Sequence, residues 1–468
     1  MADAQTLPKP KTGWRPNPIN LFWGIGSLGT ITMINSVSTL YLFFLVSMLK
    51  MSPLLAGTII FISKVFDVIT DPLMGYISDR TKSRMGRRRP FMLAAAPLCG
   101  LSVMSLFILP DFASETLLAV YVTTMLFIYA AVLTMYNVPY LAMPAEMTDD
   151  YHERSNIMSY RAAFLVGGSF VGSAVAGLLL GAFGSGRFAY EAVSVILGVF
   201  VFITMLTAVT GTKRARFTTF VKPTISAKNQ LKLVMVNRPF LILGTIKAVQ
   251  FLQLSAGTAA TLFFFVTVLD KTPAALFPFG TAAMAGSLLS LRLWLPIVHR
   301  LGKKPALRVG LVYTIVVILS WLLASPQEPM PLFVLRGFLL GSASAGIVLC
   351  SQSMITDAIA YDRQISGLNR EGLFSSAFSF LEKTMYASGP LIIGAALTIF
   401  GFIPDIPKGQ PQPDSAIFAI TLGQVYIPVA CLILIYVLLS FYKLDENMLR
   451  DAKRHALGEA EEAPAKGD

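Results

Sequence analysis

Three ionisable residues stand inside one long apolar stretch. The segment FISKVFDVITDPLMGYISDR, beginning at Phe61, carries Lys64, Asp67 and Asp71. Their spacing of i, i+3 and i+7 puts them on one face of a helix. Two carboxylates one turn apart, with the Thr70 hydroxyl beside them, offer the oxygen ligands that a hard cation such as Na⁺ takes. The same pair suits a proton, because two close carboxylates do not readily both ionise. Spacing alone does not choose between the two cations. A charge at the centre of a bilayer costs roughly 2.5–3.5 kcal/mol, so in a membrane these groups must face a bundle interior. The structural alternative is an internal Lys64–Asp67 pair with Asp71 at the cytoplasmic boundary.

The elements that carry these residues are read from composition. The 468 residues are 54% hydrophobic and 14% charged. Soluble domains carry roughly 25% charged residues, and a soluble protein of this make-up would expose too much apolar surface. Stretches long enough to cross a bilayer fall near 19–46, 54–78, 91–110, 117–143, 158–183 and 189–211. A second set falls near 239–268, 276–298, 307–325, 331–354, 374–402 and 415–441. The expectation is an all-α membrane protein of about twelve spans. Residues 1–18 form a cytoplasmic lead, 19–211 a six-helix bundle, 212–238 a cytoplasmic linker, 239–444 a second bundle and 445–468 a cytoplasmic tail.

The net charge of +12 is spread in short runs between apolar segments. Arg80, Lys82, Arg84, Arg87, Arg88 and Arg89 follow the second span; Arg300, Lys303 and Lys304 follow the eighth. The loops PDFASET and SPQEPMP hold no basic residue. The positive-inside rule then puts both termini in the cytoplasm. MGRRRP after the second span and LGKKPA after the eighth share a Gly–basic–Pro pattern, a weak internal repeat of parallel half-repeats. No nucleic-acid-binding motif accompanies the basic charge. Cys99, Cys350 and Cys431 lie far apart in apolar segments and read as small buried hydrophobes. No cleaved signal peptide is expected at the N-terminus. His152, His299 and His455 form no catalytic pattern, so an enzyme is not expected.

The turns after spans two and eight resemble the signature loop of the major facilitator superfamily. The first copy runs Gly75, Asp79, Arg80, then Gly86, Arg87, Arg88. KVFDVITDPLMG, YNVPYLAMPAEMTDDYHERSNIMSYR and SMITDAIAYDRQISGLNREGLFSSAFSFLEK extend the likeness. Nearly the whole chain resembles the glycoside–pentoside–hexuronide:cation symporter family. The resemblance implies two pseudo-symmetric six-helix bundles. It implies that Asp67 and Asp71 bind the coupling cation beside Thr70 and Thr134, with Na⁺ as the one metal. It implies substrate contacts at Lys64, Asn137, Arg161 and Lys383, and a cytoplasmic gate of Asp79, Arg80, Arg87 and Arg88. For Asn137 an interhelical hydrogen bond is an equal alternative, for Arg161 a snorkelling role, and for Lys383 a local pair with Glu382. A purely topological role is the alternative for the gate arginines. Asp357, Asp362, Arg370 and Glu371 are the matching network of the second half. Two sugar-binding aspartates of melibiose-permease-like members fall at Ile31 and Asn137 here, so galactoside specificity does not follow.

The expected function is Na⁺- or H⁺-coupled symport of a glycoside, sugar or uronide by alternating access. A lysophospholipid or other amphiphile is the alternative cargo, and a non-transporting sensor ranks below both. The expected partners are a small-molecule substrate, the coupling cation and the bilayer, with no other cofactor and no nucleic acid. A monomer in the plasma (bacterial inner) membrane completes the expectation.

Overall fold

A computed structural model of the protein describes residues 18–112, 114–148, 151–215, 238–366, 371–406, 410–442 and 444. Each of the twelve expected spans falls on a helix. In the first half these are α1 (18–48), α2 (Pro53–Arg80), α3 (Arg89–Phe107), α4 (Glu115–Met147), α5 (151–182) and α6 (Arg187–Gly211). In the second they are α7 (238–268), α8 (Pro273–Leu301), α9 (Lys303–Leu323), α10 (Met330–Ser366), α11 (Glu371–Ile399) and α12 (Asp414–Phe441). Among the described residues ten of these are long and apolar enough to cross a membrane on those criteria alone. The other two are α1, rich in Gly, Ser and Thr, and α11, with Glu382 and Lys383 in its middle.

The two halves repeat each other. In the first half α1 packs on α5 and α6, α4 on α2 and α3, and α3 on α6. In the second, α7 packs on α11 and α12, α10 on α8 and α9, and α9 on α12. Local backbone repeats too. Both α1 and α7 end in a π turn, Phe44–Met48 and Phe264–Val268. Each turn leads into a residue with positive φ, Lys50 at 57° and Asp270 at 49°. The glycines of MGRRRP and LGKKPA, Gly86 and Gly302, both sit at φ 85°. That region suits glycine because it has no Cβ.

The halves meet through α2 against α11 and α5 against α8. Their close contacts gather at one end, the start of α2 and the end of α11. Backbone N–H of Leu54 donates to Thr398 Oγ1 at 3.0 Å, and Lys50 pairs with Asp405. A Cβ on Gly57 would stand 3.1 Å from Leu391 Cα, and one on Gly177 2.6 Å from Leu276 Cβ. The glycine spacing of α5 thus serves close helix packing. A cavity of about 20 Å³, lined by Val37, Ser38, Ile60, Lys64, Ser255 and Tyr386, lies between this seal and the midplane. It has room for a water molecule and for no sugar.

Candidate functional site

The acids of α2 sit near the middle of the bundle. Asp71 lies nine residues from the end of α2, and Lys247, Arg161 and Lys383 lie nine to twelve residues into α7, α5 and α11. At 1.5 Å per residue this is roughly 14–18 Å from the arginine-loop end, about half the hydrocarbon core. The four helices therefore bring their charges to one level.

Asp71 forms an ion pair with Lys383, across the boundary between the halves. Its Oδ1 also accepts from Thr134 Oγ1 at 2.9 Å, which ties α2 to α4. Thr134 and Thr70 approach to 3.4 Å, oxygen to oxygen. Thr70 otherwise bonds its own helix, to Phe66 and Asp67 carbonyls at 3.2 and 3.3 Å. Asp67 is 6% exposed. Its Oδ2 stands 3.9 Å from Lys64 Nζ, while its Oδ1 is buried with no hydrogen-bond partner among the described residues. Lys64 Nζ also lies 5.5 Å from the centre of the Tyr129 ring. Pro72 follows Asp71 inside α2. It has no N–H, so the Val68 carbonyl, one turn back, loses its helical donor. Asp67, Asp71, Thr134 and Thr70 thus present a cluster of oxygens.

The internal Lys64–Asp67 pair exists, but it is long. Asp71 does not sit at the boundary; it pairs with Lys383 at the midplane. Lys383 does not pair with its neighbour Glu382. Successive helical residues point about 100° apart, so the two side chains leave α11 in different directions. Asn137 is partly buried one turn from Thr134, and no hydrogen bond joins it to the cluster among the described residues. Ile31 packs against Gly168 of α5.

Lys247 escaped the sequence reading. It is 5% exposed and donates to Ser351 Oγ on α10 at 2.8 Å. Its signal was present: it is the lone charge in the apolar run LILGTIKAVQFLQLSAG.

At the arginine-loop end, Arg88 forms an ion pair with Asp79 at 2.5 Å and donates to Ser78 at 2.6 Å and Glu146 at 2.9 Å. Arg87 bonds the same Glu146 oxygen at 2.8 Å. Glu146 on α4 is the acid that holds both arginines, and the sequence reading missed it. Arg80 lies apart, its guanidinium 3.8 Å above the Tyr76 ring. In the second half Lys303 pairs with Asp357 at 2.6 Å, joining the Gly–basic–Pro turn to the fourth helix of its half as Arg87 and Arg88 do through Glu146. Arg370 lies outside the described residues, as does the side chain of Glu371.

Pro144 explains one further bond. It frees the Tyr140 carbonyl, which accepts from Trp23 Nε1 at 3.2 Å. That bond and the 4.7 Å stacking of Trp23 on Tyr140 fix α1 against α4.

Helices repeated in two halves, with opposed charges at the midplane between them, are the architecture of a membrane transporter. The sequence profile of the MFS/sugar transport protein family matches residues 22–446. The chain belongs to that family, whose members are transporters and not enzymes. It is 27% identical to the putative glycoside/cation symporter YagG of Escherichia coli (strain K12), over 94% of this chain and 96% of the relative. It is 26% identical to the isoprimeverose transporter of Lactiplantibacillus pentosus, over 90% and 88%. It is 23% identical to the sodium-dependent lysophosphatidylcholine symporter 1 of Mus musculus, over 91% and 85%. Among solved structures it is similar in fold to the nucleoside transporter NupG, with a TM-score of 0.61 at 14% identity over 90% of this chain and 99% of that one.

Proposed function

We propose that the protein couples the entry of Na⁺ or H⁺ to the uptake of a glycoside, sugar or uronide. The observation that carries this reading is the unequal state of the two acids. Asp71 is held by Lys383 from the opposite half, while the buried Asp67 Oδ1 has no donor among the described residues. A cation entering between Asp67 and Asp71, with the threonine hydroxyls as further ligands, competes with Lys383 for Asp71. Release of Lys383 loosens one half from the other at the substrate's level. Cation and substrate then favour the same arrangement of the halves, and each raises the other's affinity by the same factor.

With the arginine-rich loops in the cytoplasm, the end where the two halves seal faces outward. The termini and the 212–238 linker then share the cytoplasmic side. Asp79, Arg87 and Arg88, through Glu146, fasten the cytoplasmic end of the first half. A monomer suffices, since each half completes the other's site.

The mouse relative keeps a second cargo in view, a lysophospholipid. The four basic and three acidic groups at the midplane favour a ligand polar throughout, because each unmet charge beside an acyl chain is costly. The test is a ligand panel in a thermal-shift assay, with and without Na⁺ at fixed pH. A sugar that stabilises only with Na⁺ present supports sugar symport. Stabilisation by lysophosphatidylcholine alone contradicts it.

A further inference from the structure

At the arginine-loop end the basic residues fall into two groups. Arg87, Arg88 and Lys303 are held by Glu146, Asp79 and Asp357. Lys304 and Arg308 have no carboxylate: among the described residues neither forms an ion pair. Lys304 Nζ donates to the Tyr442 carbonyl, just past α12, at 2.5 Å. Arg308 Nη2 donates to Ser440 Oγ on α12 at 3.2 Å, and its guanidinium lies 5.5 Å from the centre of the Tyr436 ring. Its Nε is buried with no hydrogen-bond partner among the described residues. Lys304 and Arg308 stand one turn apart on α9, as Tyr436 and Ser440 do on α12. Two like charges at that spacing repel, and here both are held by neutral groups.

The repeat between the halves accounts for one of these cations. Arg89 and Lys304 each precede the proline of their turn. Arg89 donates to the Val209 carbonyl near the end of α6 at 3.1 Å, as Lys304 does to the carbonyl beyond α12. Three residues past each proline the halves differ, with Leu93 in the first and Arg308 in the second. The shared scaffold calls for no cation there. Next to the pair, toward the midplane, the surface turns apolar. Val309, Val312 and Val316 on α9 and Ile433 and Val437 on α12 are 45–61% exposed. Their spacings put each set on one face of its helix, and in a bilayer such a face meets acyl chains.

We propose that Lys304 and Arg308, with Ser440, bind the phosphate of an anionic phospholipid whose chains lie along this apolar face. The phosphate accepts charge-assisted hydrogen bonds from both cations and relieves their repulsion. The Lys304 ammonium keeps two N–H donors beyond its bond to Tyr442, and Arg308 keeps the free part of its fork. A zwitterionic headgroup fits less well, because its own ammonium would stand beside two cations. Free phosphate gains nothing from the apolar face. The bound lipid fastens α9 to α12. Its leaflet is the cytoplasmic one, by the orientation given above. The site is separate from the cation and cargo sites and does not depend on the cargo.

The test titrates short-chain phosphatidylglycerol and short-chain phosphatidylcholine onto the purified full-length protein in detergent, with melting temperature as the readout. Phosphatidylglycerol is expected to stabilise the wild type at lower concentration than phosphatidylcholine. The double variant Lys304→Gln, Arg308→Gln is expected to need about tenfold or more phosphatidylglycerol, the worth of two cations facing an anionic lipid. Its response to phosphatidylcholine is expected to stay as in the wild type. Should the double variant not fold, Arg308→Gln alone is expected to weaken the phosphatidylglycerol response about fivefold. Lys82→Gln, Arg84→Gln removes the same charge from exposed positions of the arginine-rich loop and is expected to keep the wild-type response. An equal loss in that control shows a general effect of net charge and overturns the proposal. A lower melting temperature of the Lys304 and Arg308 variants with an unchanged phosphatidylglycerol response shows a structural role alone and also overturns it. So does a wild type that responds equally to the two lipids, or one that inorganic phosphate stabilises as phosphatidylglycerol does.

Discussion

Lys383 of α11 and Asp71 of α2 form an ion pair across the boundary between the two halves. The residues are 312 positions apart in the chain, and they lie at the depth where charge is most costly. Both side chains are about a quarter to a third exposed, so water screens the pair only in part. A double-mutant cycle with Lys383→Met and Asp71→Asn is expected to give a coupling of about 1–3 kcal/mol. The measurement is thermal or denaturant unfolding in detergent. Each single variant is expected to be less stable than the double, because each leaves one charge without its partner.

The network at the arginine-loop end separates two neighbouring arginines. Arg88 is 6% exposed and bonds Asp79, Ser78 and Glu146. Glu146→Gln is therefore expected to cost about 2–4 kcal/mol, since it weakens the hold on both Arg87 and Arg88. Arg80→Ala, outside that network, is expected to cost less than about 1 kcal/mol. Melting temperatures of the two variants, measured side by side, check the contrast.

At the repeated turn, Gly302→Ala is expected to cost about 1–2 kcal/mol, because φ is 85° and an added Cβ meets strain and no contact closer than Pro305 at 4.0 Å. Gly302→Asn is expected to cost at least as much, because ψ is 164° and that region is essentially closed to any residue with a Cβ. Unfolding of the two variants, measured side by side, decides it.

Gly57 lies where the halves seal. A side chain there meets Leu391 and Pro390 backbone. Gly57→Leu is expected to force that end apart and shift the population toward the opposite opening. The check is alkylation of a cysteine at Ser255, which lines the cavity below the seal. The labelling rate is expected to rise several-fold in Gly57→Leu, a shift of about 1 kcal/mol or more in the opening equilibrium.

The sequence made the helices legible because twenty apolar residues have few other fates in a membrane. It also made the acids legible, since ionisable residues in such a run are conspicuous and their spacing fixes a common face. What spacing cannot give is the partner on another helix. Lys383 was visible, but its choice of Asp71 over Glu382 depends on how α11 rotates against α2. Glu146 was passed over because its partners lie almost sixty residues away. Arg80 was grouped with its neighbours by sequence, yet helix geometry turns it onto Tyr76. One signal was available and unused. LFFLVSML at 42–49 and LFFFVTVL at 262–269 are the same segment repeated, and both fold into the same π turn. That repeat is stronger than the Gly–basic–Pro pattern.

Asp67, whose buried Oδ1 has no hydrogen-bond partner among the described residues, is the residue proposed to couple a cation to the cargo. The most direct measurement is gradient-driven uptake in proteoliposomes beside cation-independent exchange of the same sugar across the same membrane. Asp67→Asn is expected to lose accumulation driven by Na⁺ or H⁺, by about tenfold or more, while expressing and folding as the wild type does. Exchange without a gradient is expected to persist. Full gradient-driven accumulation by Asp67→Asn contradicts the account.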